Sequence, residues 1–388
     1  MRKFFDSNAL WLSMLIGALG YRLFLPLKPT LPWLIFFMLF FTFCKVNPLD
    51  LRLHRWHWAV LITQLVLSFL TYTLVLYFTG NPILAQGLLM CFIMPTATAA
   101  PIIAGKMGGS IQNLTTFTLL SNFATAIIVP LTFPLINNNL ELSTFELLST
   151  FNSQLSTFFW PAFLLILSRV APLLLGPFFS AWLLRLAFNY YYRRQYLSAS
   201  KTRGLSAEGG PTAQRSVSDS GLSAKRSVSD SGLSAEGGPK EFVLPQSWAQ
   251  TPFYLWVASI VVLTAVVTET TISNFKFQIS NILILLVSSF FICLIQFALG
   301  KLIGYLMPAP SKGTDYQDVL INPAAAPTTM AEVSSITAGQ AFGQKNTSLG
   351  VWMAQTYLSP MAALGAAAYI VWQNIFNSVQ LFVVAHKK

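Results

Sequence analysis

The stretch GQAFGQKNTSLG, Gly339–Gly350, decides how this chain is read. It holds three glycines, three side-chain amides and Lys345, yet it lies within 328–358, a segment otherwise apolar and long enough to cross a bilayer. A charge at the bilayer centre costs roughly 2.5–3.5 kcal/mol on insertion scales. Unwound backbone is tolerated at that depth only where it is buried in protein or lines a wet cavity. The stretch therefore predicts a membrane helix that is interrupted on purpose, with Gly339, Gly343 and the amides of Gln340, Gln344 and Asn346 at the break.

A counterpart lies upstream. ILAQGLLMCFIMPTATAAPIIAGKMGG, 83–109, sets Pro95 and Pro101 around a run of small residues that includes Thr96 and Thr98. Each proline removes a backbone donor and clashes with the preceding turn. A window of about 20 apolar residues spans the hydrocarbon core, and on that basis the chain holds ten spans: 8–25, 30–46, 56–79, 82–106, 111–137, 158–190, 250–270, 278–306, 328–358 and 361–383. The two interrupted segments are the fourth of the first five and the fourth of the second five. Paired interruptions at corresponding places point to an inverted repeat. The fold class expected is an all-α polytopic membrane protein with ten transmembrane helices in two inverted five-helix repeats. Helices 4 and 9 are broken and cross near Thr96–Ala100 and Gly343–Asn346.

Composition agrees: 54% of the 388 residues are hydrophobic and 10% charged, against about 25% charge in a soluble domain. The net charge of +11 does not point to nucleic acid. Most basic residues fall between spans, where Lys and Arg mark cytoplasmic loops. Arg2, Lys3, Lys45, Arg52, Arg55, Lys106, Arg193, Arg194, Lys301, Lys312, Lys387 and Lys388 all come out on one side, whereas Glu141 and Glu146 lie on the other. Both termini are then cytoplasmic, and the N-terminal apolar run is an uncleaved first helix. Residues 1–197 hold helices 1–6 and 246–388 hold helices 7–10. Between them, 198–245 repeats RSVSDSGLSA and GLSAEGGP, holds too few apolar residues to offset its ordering entropy, and reads as a disordered, dispensable cytoplasmic linker.

Other polar groups have plain readings. Thr329 and Glu332 have the spacing of a capping box. Arg169 either attracts an anion or sits at the outer interface. Trp372, Gln373, Asn374 and Asn377 form a polar stripe suited to interhelical hydrogen bonds. His54 and His57, beside Trp56 and Trp58, suit an interfacial belt. Cys44, Cys91 and Cys293 lack metal-ligand spacing and read as small packing residues. No zinc-hydrolase or serine-hydrolase motif is present, so an enzyme is not expected, and no cofactor is.

At its two interrupted segments the chain resembles the bile acid:sodium symporter family, and it is read as a divergent bacterial-type member. PTATAAP, 95–101, stands where that family has Pro-Gly-Gly-Thr-Ala-Ser-Asn. AFGQKNTSL, 341–349, stands where it has Glu-x-Gly-x-Gln-Asn, and WQNIFNS, 372–378, where it has Trp-His-Asn. The resemblance implies a secondary transporter that moves a small organic anion, bile-acid-like or another organic acid, by alternating access in the bacterial inner membrane. It implies a substrate and ion site at Gln64, Thr96, Thr98, Thr118, Asn122, Gln340, Gln344, Lys345 and Asn346, with sodium at Thr118, Asn122 and Gln64. Four sodium-binding residues of the family are replaced, however: its glutamate falls on Ala341, its glutamine on Lys345, and its Ser-Asn pair on Ala100 and Pro101. Lys345 is then expected to take the place of a sodium ion, holding Gln64 and the free carbonyls of the break, and to make transport sodium-independent. A lysine that sheds and regains its proton would couple transport to protons instead. A sodium-coupled symporter is the alternative; a channel or an intramembrane enzyme is the alternative of another class.

Overall fold

The computed structural model describes residues 2–44, 46, 51–137, 159–207, 248, 250–309 and 329–386. Eleven principal helices account for most of them. They are α1 (Arg2–Leu19), α2 (Leu31–Phe43), α3 (Arg55–Thr79), α4 (Pro82–Ile93), α5 (Ala100–Lys106), α6 (Ile111–Asn137), α7 (Trp160–Ala207), α8 (Thr251–Leu306), α9 (Met330–Gly343), α10 (Thr347–Tyr357) and α11 (Ala363–His386). Short turns, Tyr21–Phe24 and Leu25–Thr30, join α1 to α2. No strand occurs among the described residues; the single β-like pairing is an isolated bridge between Thr96 and Lys345.

Seven stretches among the described residues are long and apolar enough to cross a bilayer: Tyr21–Phe43, Arg55–Thr79, Ile111–Ile136, Trp160–Tyr192, Thr251–Asn274, Ile279–Leu306 and Pro360–Val384. This is a multi-pass helical membrane protein. The ten expected spans exceed this number for physical reasons. Spans four and nine are each split into two helices, every piece shorter than the ~20 residues a crossing needs. Helix α1 opens on Arg2, Lys3 and Asp6, which lower its hydropathy.

Two expectations need correction. Helix α7 runs on to Ala207, so 198–207 is helical where a linker was expected; its Ala, Leu, Lys and Arg residues favour helix. The rest of that segment, 208–245, with both copies of RSVSDSGLSA, lies outside the described residues, as do Lys45, Glu141, Glu146, Lys312, Lys387 and Lys388. Removing 208–245 and closing the gap with a short Gly/Ser link is expected to leave the yield of monodisperse protein within a few-fold of wild type. The second correction concerns spans seven and eight, which form one continuous helix, α8. Were α8 straight, Trp256 and Gly300 would stand about 66 Å apart. Yet Trp256 lines the same cavity as Lys345, and Gly300 packs on Ala338 and Gly339 a few residues away. Helix α8 therefore bends back on itself, and its two apolar spans make two passes.

Side chains sort as a bilayer requires. Leu183, Phe291 and Val379 are exposed on outer faces, whereas Ile35, Leu89, Phe117, Phe133 and Tyr369 are fully buried between helices. The histidine pair departs from the interfacial reading. Trp56 and His57 are completely buried. The His54 N–H donates to His57 Nδ1 at 2.9 Å, so the proton of the His57 ring sits on Nε2, which donates to the Asn113 carbonyl at 3.0 Å. The His54 ring meets Asn113 Oδ1 at 3.1 Å. The pair thus caps α3 and ties it to α6, because His54 and Asn113 bring their polar groups to a junction closed to water. Loss of a buried hydrogen-bonded ring is a destabilising event of about 2 kcal/mol. His57→Ala should lower the thermal midpoint in detergent by several degrees, with His57→Asn intermediate.

Candidate functional site

Helix α4 starts at Asn81, whose side chain accepts from the Ile83 and Leu84 N–H groups, with Pro82 in the first turn. It stops because Pro95 cannot donate to the ladder and forces Met94 into extended geometry, φ −52° and ψ 136°. Helix α5 resumes at Ala100 with Pro101 in its first turn. Helix α9 is started by Thr329, whose hydroxyl accepts the Glu332 N–H at 3.2 Å, as the capping spacing foretold. It ends at Gly343, beyond which Gln344 is extended. Asn346 caps α10 by accepting the Leu349 N–H.

The two interruptions meet and pair. The Ala97 N–H donates to the Gln344 carbonyl at 2.9 Å, and the Asn346 N–H donates to the Pro95 carbonyl at 2.7 Å, around the antiparallel bridge of Thr96 with Lys345. Side chains take up most of what remains. The Thr96 N–H donates to Ser121 Oγ at 3.1 Å and the Thr96 hydroxyl to the Ala341 carbonyl at 2.6 Å. The Lys345 N–H donates to Gln373 Oε1 at 2.9 Å, and Gln373 Nε2 returns to the Lys345 carbonyl at 3.3 Å. The Tyr369 hydroxyl donates to the Gly343 carbonyl at 2.7 Å. Gln64 Nε2 donates to the Met94 carbonyl at 3.1 Å, and Gln296 Nε2 to the Cys91 carbonyl at 3.0 Å. This is how unwound backbone persists at membrane depth: donors and acceptors freed by one break satisfy the other.

A cavity of about 410 Å³ opens beside the crossing. One wall is the two breaks, Ala97–Ala99 and Gln344–Asn346, with Thr118, Thr347 and Ser348; the opposite wall is apolar, including Met38, Phe43, Phe253 and Trp256. Among the described residues, Lys345 is the one basic residue on its lining, and no Asp, Glu or His lies there. Of the expected site residues, Thr98, Thr118, Gln344, Lys345 and Asn346 line this cavity. Gln64, Thr96, Asn122 and Gln340 do not. Thr96 is consumed in the crossing, Asn122 Nδ2 donates to the Thr118 carbonyl at 2.8 Å on the preceding turn of α6, and Gln340 Nε2 donates to Asn377 Oδ1 at 3.1 Å. Arg169 is exposed on α7 and away from the cavity.

The expected contact between the Lys345 ammonium and Gln64 or the free carbonyls is not made. Those carbonyls are held by Gln64, Thr96, Tyr369 and Gln373. Lys345 Nζ lies 5.0 Å from the centre of the Phe342 ring, buried and with no hydrogen-bond partner among the described residues. Amides and hydroxyls on neighbouring helices already serve these carbonyls, and no carboxylate pairs with the ammonium among the described residues. Cation–π attraction to Phe342 offsets part of its desolvation. Gln64 Oε1, Asn122 Oδ1, Gln340 Oε1, Gln344 Oε1 and Asn346 Nδ2 are also buried without a partner among the described residues. Each such group costs about 1–3 kcal/mol, and their concentration sets this region apart from a core whose polar groups are all satisfied.

Sequence reasoning missed Tyr369 and Ser121. The signal for Tyr369 was present: it lies four residues before Gln373, hence on the same face of α11. Gln373, read as an interhelical bridge, is that and more specific, since both of its bonds go to Lys345. No protein-family model and no curated protein matches the chain. The class that fold and site define is thus a multi-pass helical membrane protein with two interrupted helices paired across a largely apolar cavity.

Proposed function

We propose that this protein is a secondary transporter for a small organic anion, working by alternating access and resembling the bile acid:sodium symporters. The observation that carries this reading is the backbone pairing of two interrupted helices at Thr96 and Lys345 beside a cavity whose lining has, among the described residues, one basic and no acidic residue. A cavity in the range of ligand sites, with few convergent polar groups on one wall, suits an amphipathic solute. In this proposal α1, the α4–α5 pair and the α9–α10 pair each complete a crossing, giving ten spans in two inverted repeats. The termini lie in the cytoplasm of a bacterial inner membrane, following the basic loops. The bilayer and the anion are its partners, and Lys345 supplies a fixed positive charge in place of a coupling sodium.

A sodium-coupled symporter is the second reading, favoured by the unpartnered buried oxygens of Gln64 and Asn122. Ala341 in place of a carboxylate weighs against it, since hard cations need several charged or carbonyl oxygens. Counterflow in proteoliposomes tests the proposal. A carrier exchanges labelled for unlabelled organic acid against its gradient; a channel or an enzyme does not. The acids to test come from a thermal-shift screen, because a ligand that binds only the folded state raises its stability by RT ln(1 + [L]/Kd). Absence of counterflow for every acid that stabilises the protein would remove the transporter reading.

A further inference from the structure

A second cavity, of about 210 Å³, lies between α1, both spans of α8 and α11. Among the described residues its lining is apolar apart from the Thr264 hydroxyl and includes no charged residue. Ile370 lines both cavities. On α8, Phe253, Trp256 and Ile260 face the first cavity, while Leu263 and Val267 face the second. These positions are spaced by three, four, three and four residues, so they form one stripe on one helix face. Helix α11 repeats the pattern: Leu364 and Ala367 line the second cavity, Ile370 both, and Gln373 the first. The two cavities therefore lie end to end along the same α8–α11 seam. At their junction Ile260 is 1% and Ile370 5% exposed.

We propose that the second cavity continues the first, the two forming one passage along this seam that is sealed in this conformation by the side chains of Ile260 and Ile370. The proposal rests on the reading of the first cavity as a solute site and extends it by naming the barrier and the chamber beyond. A narrow apolar constriction excludes water, and with it any charged solute, without a mechanical plug. With an apolar lining, the second cavity accommodates the apolar body of an amphipathic solute rather than its charged end. Bulk at position 370 then decides whether the two chambers communicate.

The test needs no substrate. Thr264→Cys reports on the second chamber and Asn374→Cys on the first, each in the full chain reconstituted in proteoliposomes. Cys44, Cys91 and Cys293 are all buried, so the parent sets a low baseline. A small membrane-impermeant cationic thiosulfonate, applied from one face at a time, should modify Asn374→Cys from one face and leave Thr264→Cys unmodified from that same face. Adding Ile370→Ala should raise the rate at Thr264→Cys from that face at least about tenfold, whereas Ile370→Val should keep the block. Ile260→Ala should act like Ile370→Ala, and serves where the latter lowers the yield of monodisperse protein. Modification of Thr264→Cys at the same rate with and without these changes would overturn the seal. The outcome separates from the transporter reading. An Ile370-dependent rate without counterflow leaves the passage standing and removes transport; counterflow without an Ile370 effect removes only the seal.

Discussion

Gly365→Val is expected to abolish the folded protein, and Gly365→Ala to cost about 3 kcal/mol, the upper end of what overpacking a core takes. Gly365 sits on α11 where that helix crosses α4 at Gly87. A β-carbon there would strike the Gly87 carbonyl oxygen and lie 3.0 Å from the Gly87 α-carbon. The opposing atoms are helical backbone, so they cannot rotate away. Small residues at such crossings let membrane helices approach closely, which is much of what holds them together. Relief requires α11 to back off from α4, and α11 also carries Tyr369 and Gln373, whose bonds hold Gly343 and Lys345 at the crossing. One methyl group thus loosens the paired breaks at a distance. The reverse change gives the control. A β-carbon at Gly87 would meet Leu285 Cδ2 at 2.6 Å and the Ala362 carbonyl oxygen at 3.4 Å. The first of these is the end of a flexible side chain, so Gly87→Ala should cost only about 1 kcal/mol. Thermal midpoints and monodisperse yields in detergent measure both. Gly365→Ala proving as stable as Gly87→Ala would discard this account of the crossing.

The interruptions were legible because they follow from backbone chemistry alone. Pro95 lacks a donor wherever it sits, and Asn346 and Thr329 are natural helix caps in any context. That the breaks would meet was legible from their matching places among the ten expected spans. Which side chains would serve the freed carbonyls was not, since that depends on how each helix is rotated about its axis, and the polar stripe of α11 is compatible with several rotations. The burial of His57 was hidden for a related reason: a His-Trp pair at a helix start looks the same whether it faces headgroups or Asn113. The continuity of α8 was hidden too. Residues 271–278, TISNFKFQ, contain no proline or glycine, so the sequence breaks off hydropathy there without breaking the helix. Lys345 is the instructive case. Its position at the break was readable, but its contact was not, because a flexible side chain settles where competitors leave room.

Lys345 also carries the last expectation, which rests on the proposed function. Uptake by wild-type protein should be equal in sodium and choline buffers across pH 5.5–8, apart from any smooth dependence on pH that proton coupling would add. The reasoning starts from charge. Lys345 is 1% exposed and stands at the bridge between the two breaks, so in its protonated form it places a positive charge where the resembled family binds an ion. The carboxylate that would attract sodium is replaced by Ala341, itself fully buried. A site with a built-in cation and no compensating anion repels a second cation, which in the low effective dielectric of a buried site is decisive. Removing the charge should weaken the pull on an anion in the adjacent cavity. A charge-assisted interaction is worth roughly 1.5–3 kcal/mol, so Lys345→Gln should reduce uptake about ten- to a hundredfold while still showing no strong response to sodium. Ala341→Glu combined with Lys345→Gln restores a carboxylate and an amide beside the unpartnered oxygens of Gln64 and Asn122, and should recover part of the uptake in sodium buffer alone. Lys345→Gln tells a structural role from an electrostatic one through the thermal midpoint: relief of a buried, unpartnered ammonium should leave stability unchanged or raised, even as uptake falls. A steep sodium dependence in the wild type would refute the substitution of lysine for sodium, whatever the variants did.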